Sequence, residues 1–259
     1  MIINSDKKFL NRSLAIIIFI IITYLLFNRV DYRWDLQRLI RFIFYVQDNN
    51  LYLGTLIKGL MATIEISFIS IFLGIGIGIV VAFGSLSPFY SIKTICKIYI
   101  LTIRNTPLMT QILINYFVVG NIFHINGFWV AVFTLSLFEG SYISEIVRGS
   151  ILSIDKQQWL SGYALGMSRI QVLKKVILPQ SYPIIIPSLS NILVSTVKDS
   201  SLLSIISIYE LTFEAQKAVS ETFMTFEIWF MVAFLYLSIN IIITILLKLL
   251  EKKFMRWRR

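Results

Sequence analysis

The sequence has little of what catalysts and soluble domains are usually built from. Its 259 residues include one cysteine, Cys96, and one histidine, His124. A lone cysteine excludes a disulfide scaffold. His124 has no cysteine or carboxylate nearby at ligand spacing, so it reads as a surface residue rather than a metal ligand. No G-x-S-x-G elbow is present, and a single histidine leaves little room for a buried Ser/His catalyst. The run Gly54-Thr-Leu-Ile-Lys-Gly59 looks at first like a phosphate loop. It continues Leu60-Met61 where the phosphate-binding lysine and the magnesium-binding hydroxyl would stand. The chain therefore carries no nucleotide site, and any ATP it uses is hydrolysed by another chain.

Charge is scarce as well. Charged residues make up 15% of the chain, against about 25% in a typical soluble domain. Too few charges remain to cover a soluble surface, and 57% hydrophobic residues exclude a disordered chain. What is left is an integral membrane protein with a net charge of +10. Its basic residues track the connections between apolar runs, so membrane topology accounts for them without nucleic-acid binding. No internal repeat and no Pro/Gly/Ser-rich linker divides the chain.

A membrane-crossing helix needs about 20 mostly apolar residues. Candidate spans lie within 10–27, 60–83, 107–123, about 128–147, 182–197 and 226–247. The first has no small-residue cleavage site after it and reads as an uncleaved anchor. The fifth is short and is interrupted by Lys198-Asp199-Ser200-Ser201 before apolarity resumes at Leu202–Ile208. Six spans put both termini on one side. The segments on that side hold Lys7, Lys8, Arg12, Lys93, Lys97, Arg104, Arg148, Lys156, Arg169, Lys174, Lys175, Lys248, Lys252, Lys253, Arg256, Arg258 and Arg259. Only Asp6, Asp155 and Glu251 oppose them there, so the positive-inside rule places both termini in the cytoplasm. Arg29, Arg33, Arg38 and Arg41 run against this, partly offset by Asp31, Asp35 and Asp48. The stretch Leu36–Val46 is expected to lie along the outer surface as an amphipathic helix.

The connection between the fourth and fifth spans is too patterned for a tether. Trp159 and Tyr163 are four apart, as are Leu160 and Ala164, with Met167 three beyond. This spacing predicts a short helix with an apolar face that docks on something. Gly166 is placed as its left-handed terminator, Ser168 as the N-cap of the next helix, and Pro179 as shaping the approach to the membrane. Spacing alone is equally compatible with a structural hairpin and a partner-docking helix.

The same stretch resembles the coupling segment of ABC-importer permeases, E-A-A-x(3)-G-x(9)-I-x-L-P. Gly166, Leu178 and Pro179 fall at the matching distances, and Val176 replaces the isoleucine. Arg104-Asn-Thr-Pro107 with Gln111 resembles R-G-T-P-x-x-x-Q of permeases of the polar amino-acid uptake family. Tyr142-Ile-Ser-Glu145-Ile-Val-Arg148-Gly149 resembles A-Y-x-A-E-x-x-R-G, Lys198–Leu202 resembles K-D-T-S-L, and Glu210-Leu211-Thr212 resembles E-L-T. The motifs stand in family order across about Leu51 to Phe254. The E-A-A triplet is Leu160-Ser161-Gly162 here, which removes the glutamate that the family offers to its ATPase. Gln157 stands where a glycine would precede Gln158.

The resemblance implies an all-α integral membrane protein of about six transmembrane helices with the type I ABC importer-like permease fold and a cytoplasmic coupling helix. Residues 1–50 would form an anchor helix and external connection, 51–254 the permease domain with its coupling segment at 153–180, and 255–259 a basic cytoplasmic tail. It further implies a non-enzymatic permease of a bacterial cytoplasmic (inner) membrane. The partners implied are a second identical or related permease, two ATPase subunits that hold the ATP and magnesium, an external amino-acid-binding protein and the bilayer. ATPase coupling falls to Gln158, Trp159, Leu160, Ser161, Gly162, Ala164, Leu165, Gly166 and Pro179. Of these, Leu160, Ala164 and Gly166 are expected to tie the helix to the spans.

For the substrate path or gate the candidates are Glu139, Tyr142, Glu145, Lys198, Asp199 and Ser200. Glu139 lies near the middle of its span, with Tyr142 and Glu145 on roughly one face. A carboxylate at that depth is costly unless it faces protein or water. It reads either as a pocket group for an amino acid's ammonium or as an internal bond within the bundle. Glu145 and Arg148, three apart, read as a gate or as a local ion pair. The Lys198–Ser201 break reads as a binding-site interruption or as a loop at the outer face. Glu65 is placed at the interface, and Gly74 and Gly78 as a close helix contact. The alternative function is a stand-alone secondary transporter or channel for a small polar solute. A membrane scaffold or sensor is the further rival.

Overall fold

The structure is a computed structural model that describes residues 34–256 and, upstream of them, Leu14, Ile17, Ile18 and Ile21. The chain divides into two units, Met1–Leu36 and Gln37–Arg259. In the first, those four upstream residues are helical and exposed. The rest of the expected anchor helix and the residues beyond Arg256 lie outside the described residues, as do Lys7, Lys8 and Arg12.

The second unit begins within a short helix α1 (Leu36–Ile40) and continues into a hairpin of β1 (Phe44–Gln47) and β2 (Asn50–Leu53). The strands are antiparallel, with Phe44 opposite Leu53 and Gln47 opposite Asn50. The surface helix expected over Leu36–Val46 therefore covers only its first turn. The aromatic and β-branched run Phe-Ile-Phe-Tyr-Val prefers extended backbone. Asp48 and Asn49 close it with φ of 50° and 60°, the left-handed pair that a two-residue hairpin turn requires.

The remaining helices are α2 (Thr55–Ser85), α3 (Tyr90–Arg104), α4 (Leu108–Phe123), α5 (Gly127–Leu152), α6 (Lys156–Ala164), α7 (Arg169–Ile206), α8 (Leu211–Thr222) and α9 (Thr225–Arg256). Among the described residues α2, α5, α7 and α9 are long and apolar enough to cross a membrane. The third expected span is corrected. Helix α4 alone rises only about 24 Å, short of the roughly 30 Å core. By length and composition it passes for a crossing only when joined to α3, from which it is bent by 104°, a pair that forms a broken span or a re-entrant loop.

Helices α2 and α5 form the spine, and they run parallel. Ile66 packs with Ala131, Val132 and Leu135. Further along, a Cβ on Gly74 would meet Ser136, Glu139 and Gly140, and one on Gly78 would meet Ile143. The core follows this spine in three clusters. Leu56, Leu211, Ala215 and Ile228 form one end. Ile66, Ile112, Leu135 and Leu203 form the middle. Ile71, Ile143, Val147, Val172 and Ile177 form the end nearest α6. Helix α9 is apolar, and beyond Val232 its described side chains are half-buried or exposed, as expected of a helix covered by lipid or by another membrane subunit.

The close approach at Gly78 has a measurable consequence. A Cβ there would lie 2.5 Å from Cγ2 of Ile143 and 3.1 Å from the Gly140 carbonyl, whereas Gly76 faces open space. Gly78→Ala is expected to lose about 1–3 kcal/mol by overpacking, read as a lower thermal midpoint of the detergent-solubilised chain. Gly76→Ala should leave that midpoint unchanged or raise it.

Candidate functional site: the α6 hairpin and the charged bend beside it

The α5–α7 connection is ordered residue by residue. Asp155 caps α6 by accepting from the Gln157 N–H at 2.9 Å. The helix ends where Gly166 adopts φ +76°. Gly166 N–H donates to the Tyr163 carbonyl (2.9 Å) and Met167 N–H to that of Gly162 (3.1 Å), the paired bonds of a Schellman terminus. The next residue, Ser168, starts α7 with a capping box closed by Gln171. The left-handed stop at Gly166 and the cap at Ser168 stand as the sequence indicates. Pro179 follows a π-helical turn, Leu173–Ile177, at the start of the regular part of α7. That wider turn accommodates the carbonyl for which the proline has no N–H to offer.

The residues that tie α6 to the spans differ from those expected. Leu160 and Ala164 are exposed, and a Cβ on Gly166 would meet nothing within 4 Å. Instead Gly162 is buried against Val172, with 2.7 Å between its ideal Cβ and Val172 Cγ2. Trp159 and Met167 pack on the Ile143–Val147–Ile177 cluster. Gln180 Nε2 donates to Gln158 Oε1 at 3.2 Å. The reason is geometric. The face of α6 turned to α7 must let the backbones close, so the small Gly162 makes the contact and the larger Leu160 is turned outward. With Leu165 (76% exposed), Tyr163 and Ile170, Leu160 (60% exposed) forms an uncovered apolar patch. Ser161 is also exposed. Lys156, Arg169, Lys174 and Lys175 are exposed around it. Beside the patch a groove of about 400 Å³ runs between Leu86, Pro88, Leu152, Trp159, Ile170 and Leu173.

The second set of candidate residues is divided between two places. Glu139 is buried at 2% exposure and faces Thr196 and Asp199 of α7. Its Oε1 has no hydrogen-bond partner among the described residues. Tyr142 and Glu145 gather instead on Arg104 at the α3–α4 bend. The Arg104 guanidinium lies 5.0 Å from the Tyr142 ring centroid and 3.8 Å from Glu145. Glu145 is also held in a two-pronged bond by Arg148, at 2.8 and 2.9 Å.

The expected interruption at Lys198–Ser201 is corrected. The helix does not open there but tightens into 3₁₀ geometry over Ser200–Ile206. The Ser200 hydroxyl donates to the Val197 carbonyl at 2.9 Å and that of Ser201 to the Lys198 carbonyl at 2.7 Å. Serines that bond back to carbonyls three residues earlier let a polar stretch stay helical, so low hydropathy did not mean a break. Lys198 is exposed, Asp199 half-buried and Ser200 buried. His124 is exposed, as the sequence indicates, and Glu65 is exposed on α2.

Two structural residues carried no role in the sequence reading. Gln111 fixes the bend, its Nε2 donating to the carbonyls of Ile103 (2.8 Å) and Thr106 (3.0 Å) and to Thr106 Oγ1 (2.8 Å). This accounts physically for the spacing of Arg104-Asn-Thr-Pro107 and Gln111. Glu210, fully buried, caps α8. It accepts from Phe213 N–H (2.8 Å), Thr212 N–H (2.9 Å) and the Tyr236 hydroxyl (2.9 Å). Burial holds its carboxyl above the usual carboxylate range, against the opposing pull of these donors. The signal for Gln111 was its distance from the proline; for Glu210 it was an acid immediately before a helical run.

A helical bundle with four helices long and apolar enough to cross a membrane, a bent fifth pair and a hairpin with an uncovered apolar patch has the make-up of a polytopic membrane protein. Comparison with known proteins narrows the class. Residues 74–256 match the family described as binding-protein-dependent transport system inner membrane component, and the chain belongs to it. It is 34% identical over 201 residues to the glutamine transport system permease protein GlnP of Escherichia coli (strain K12), covering 76% of this chain and 92% of that protein. It is 33% identical to the L-cystine transport system permease protein TcyB of Bacillus subtilis (strain 168), covering 77% and 86%. A crystal structure of an amino acid ABC transporter with histidines aligns with TM-score 0.72 at 30% identity, covering 77% of this chain and 94% of that one. An inward-facing MetNI methionine ABC transporter shares the fold, with TM-score 0.66 at 17% identity. Family membership disfavours a stand-alone transporter or channel.

Proposed function

We propose that this chain is the membrane-spanning subunit of an ATP-driven importer for a polar amino acid. Its permease domain is taken as 51–254, with the coupling segment at 153–180. The observation that carries the reading is the α6 hairpin: a patch of Leu160, Tyr163, Leu165 and Ile170 left uncovered while Gly162, Trp159 and Met167 lock its other face to α5 and α7. A surface both exposed and rigidly tied to two crossings can transmit a partner's motion to the spans, because the partner then binds two conformations with different affinity. The partner is a separate ATPase subunit that holds ATP and magnesium, and this chain hydrolyses nothing. Two such ATPases, a second identical or related permease and an external amino-acid-binding protein complete the assembly. The α6 end and both termini face the cytoplasm.

Within the bundle, Glu139 with Asp199 beside it offers the carboxyl groups that would meet a substrate ammonium. Tyr142, Glu145 and Arg104 form the gate at the bend. The relatives named for glutamine and L-cystine support the substrate class. The test is uptake into proteoliposomes of radiolabelled glutamine, cystine or arginine. It is expected only when this chain, its ATPase, the binding protein and ATP are all present. Uptake driven by an ion gradient with this chain alone would overturn the reading.

A further inference from the structure

A cavity of about 350 Å³ lies between α3 and α5 at the end of α2, lined by Ser85, Lys93, Lys97, Arg104, Glu145 and Arg148, with Ile100 and Leu101 beside them. We propose that it is a binding site for the phosphate of an anionic phospholipid at the membrane face that carries α6. Four cations and one carboxylate share its wall. Glu145 is already engaged by Arg148 at 2.8 Å and by Arg104 at 3.8 Å, whereas Lys93 and Lys97 make no ion pair among the described residues. The wall therefore carries three positive charges in excess of its one negative.

The positions on α3 make this a built surface rather than a chance of topology. Lys93, Lys97, Ile100 and Arg104 recur at helical spacing along one face, and the first two share that face one turn apart. A second face is fixed against the spine, Tyr99 donating its hydroxyl to the Leu137 carbonyl while Cys96 packs beside Gly84. The lysine stems are thereby held at the cavity's edge. From Leu101 in the cavity wall an exposed apolar strip, Ile98 and then Ile95, winds at i−3 steps round α3 toward the face opposite the lysines. A charged pocket continuous with an apolar strip matches a molecule with an anionic head and hydrocarbon tails, and basic pockets between membrane helices bind such head groups. A soluble anion would have no use for the strip. The apolar groove along Ile75, Ile79, Phe83, Tyr182 and Leu189 offers no such charge.

The test is native mass spectrometry of the full chain released from mixed micelles of phosphatidylglycerol and phosphatidylcholine. Phosphatidylglycerol is expected to be retained in preference. At about 1 kcal/mol per basic residue near a lipid surface, the Lys93→Gln/Lys97→Gln double variant should lose roughly tenfold or more of that preference. Lys93→Arg/Lys97→Arg should keep it. Both lysines are exposed, so the neutral variant is expected to fold, which its unchanged thermal midpoint checks. Equal retention of the two lipids, or a preference untouched by the double variant, overturns the proposal. So does displacement of the lipid by millimolar inorganic phosphate, which would assign the site to a free anion. Loss of ATPase co-purification with lipid retention intact would assign the lysines to a protein partner and also overturn it. The lipid readout needs neither ATP nor substrate, so it stands or falls separately from the transport reading.

Discussion

Leu160→Asp is expected to abolish ATP-dependent uptake in reconstituted vesicles while leaving the permease folded at its normal thermal midpoint. The side chain is 60% exposed and contributes nothing to the bundle's core, so the substitution has no folded-state cost to confuse the result. Its effect falls on the partner. Burying a leucine side chain against a partner contributes about 1.5–3 kcal/mol, which the substitution removes. A carboxylate forced into the same apolar contact adds a desolvation penalty of a few kcal/mol. Together these weaken docking by roughly a hundredfold or more, at about 1.4 kcal/mol per factor of ten. The measurements are co-purification of the ATPase and the ratio of substrate imported to ATP hydrolysed. Leu160→Glu sharpens the test, because it restores the acid that the resembled E-A-A motif carries at this position. If either acidic variant imports at the normal ratio, the partner surface is not apolar here and the docking role assigned to the patch is wrong.

The contrast between this patch and its anchor shows what one-dimensional pattern carries and what it omits. Helix existence was legible: the spacing of Trp159, Tyr163 and Met167, the glycine at 166 and the serine at 168 are local signals, and each appears in the structure as a turn, a stop or a cap. Which side of that helix faces inward was not legible, because hydrophobicity ranks Leu160 above Gly162 as a buried residue. Close backbone approach reverses the order, and only the position of Val172 reveals it. Hydropathy failed for the same kind of reason elsewhere. Lys198–Ser201 looks like a gap in a span, yet serine hydroxyls turned onto nearby carbonyls keep it helical. The apolar run Phe42–Val46 was assigned to a helix, although the Asp48-Asn49 pair after it is a hairpin signal. In one dimension Lys93 and Lys97 carry only a topology signal, and Arg104 adds the start of the Arg104–Gln111 motif. Folding α3 onto α5 gathers them around one cavity, a convergence that no count of loop charges contains.

Glu210→Ala is expected to be the most destabilising single substitution outside the apolar core. Its carboxylate joins two elements, and the residue after it ties in a third. The carboxylate satisfies the first free N–H groups of α8 at Thr212 and Phe213, and it accepts the hydroxyl of Tyr236 from α9. The neighbouring Leu211 N–H is bound at 3.1 Å by Thr63 Oγ1 of α2, so this junction is where α2, α8 and α9 meet. Alanine takes the acceptor from two half-buried backbone donors and leaves the Tyr236 hydroxyl with Thr212 Oγ1, 3.0 Å away, as its remaining partner. Each donor so orphaned costs about 1–3 kcal/mol, and the cap contributes about 1 kcal/mol of that by itself. A loss of roughly 3–5 kcal/mol follows, comparable to breaking a buried charged pair. Glu210→Gln should lie between, because one carboxamide oxygen can still accept while its NH₂ meets a donor. Tyr236→Phe should cost the least of the three, since it removes a donor and leaves the cap intact. The order Ala, Gln, Phe in thermal midpoint of the solubilised chain checks the argument. If Glu210→Ala melts within a degree or two of the unsubstituted chain, the junction does not hold these helices together. The effect should also reach transport, since the far end of α2 is the helix against which α5 positions the α6 hairpin.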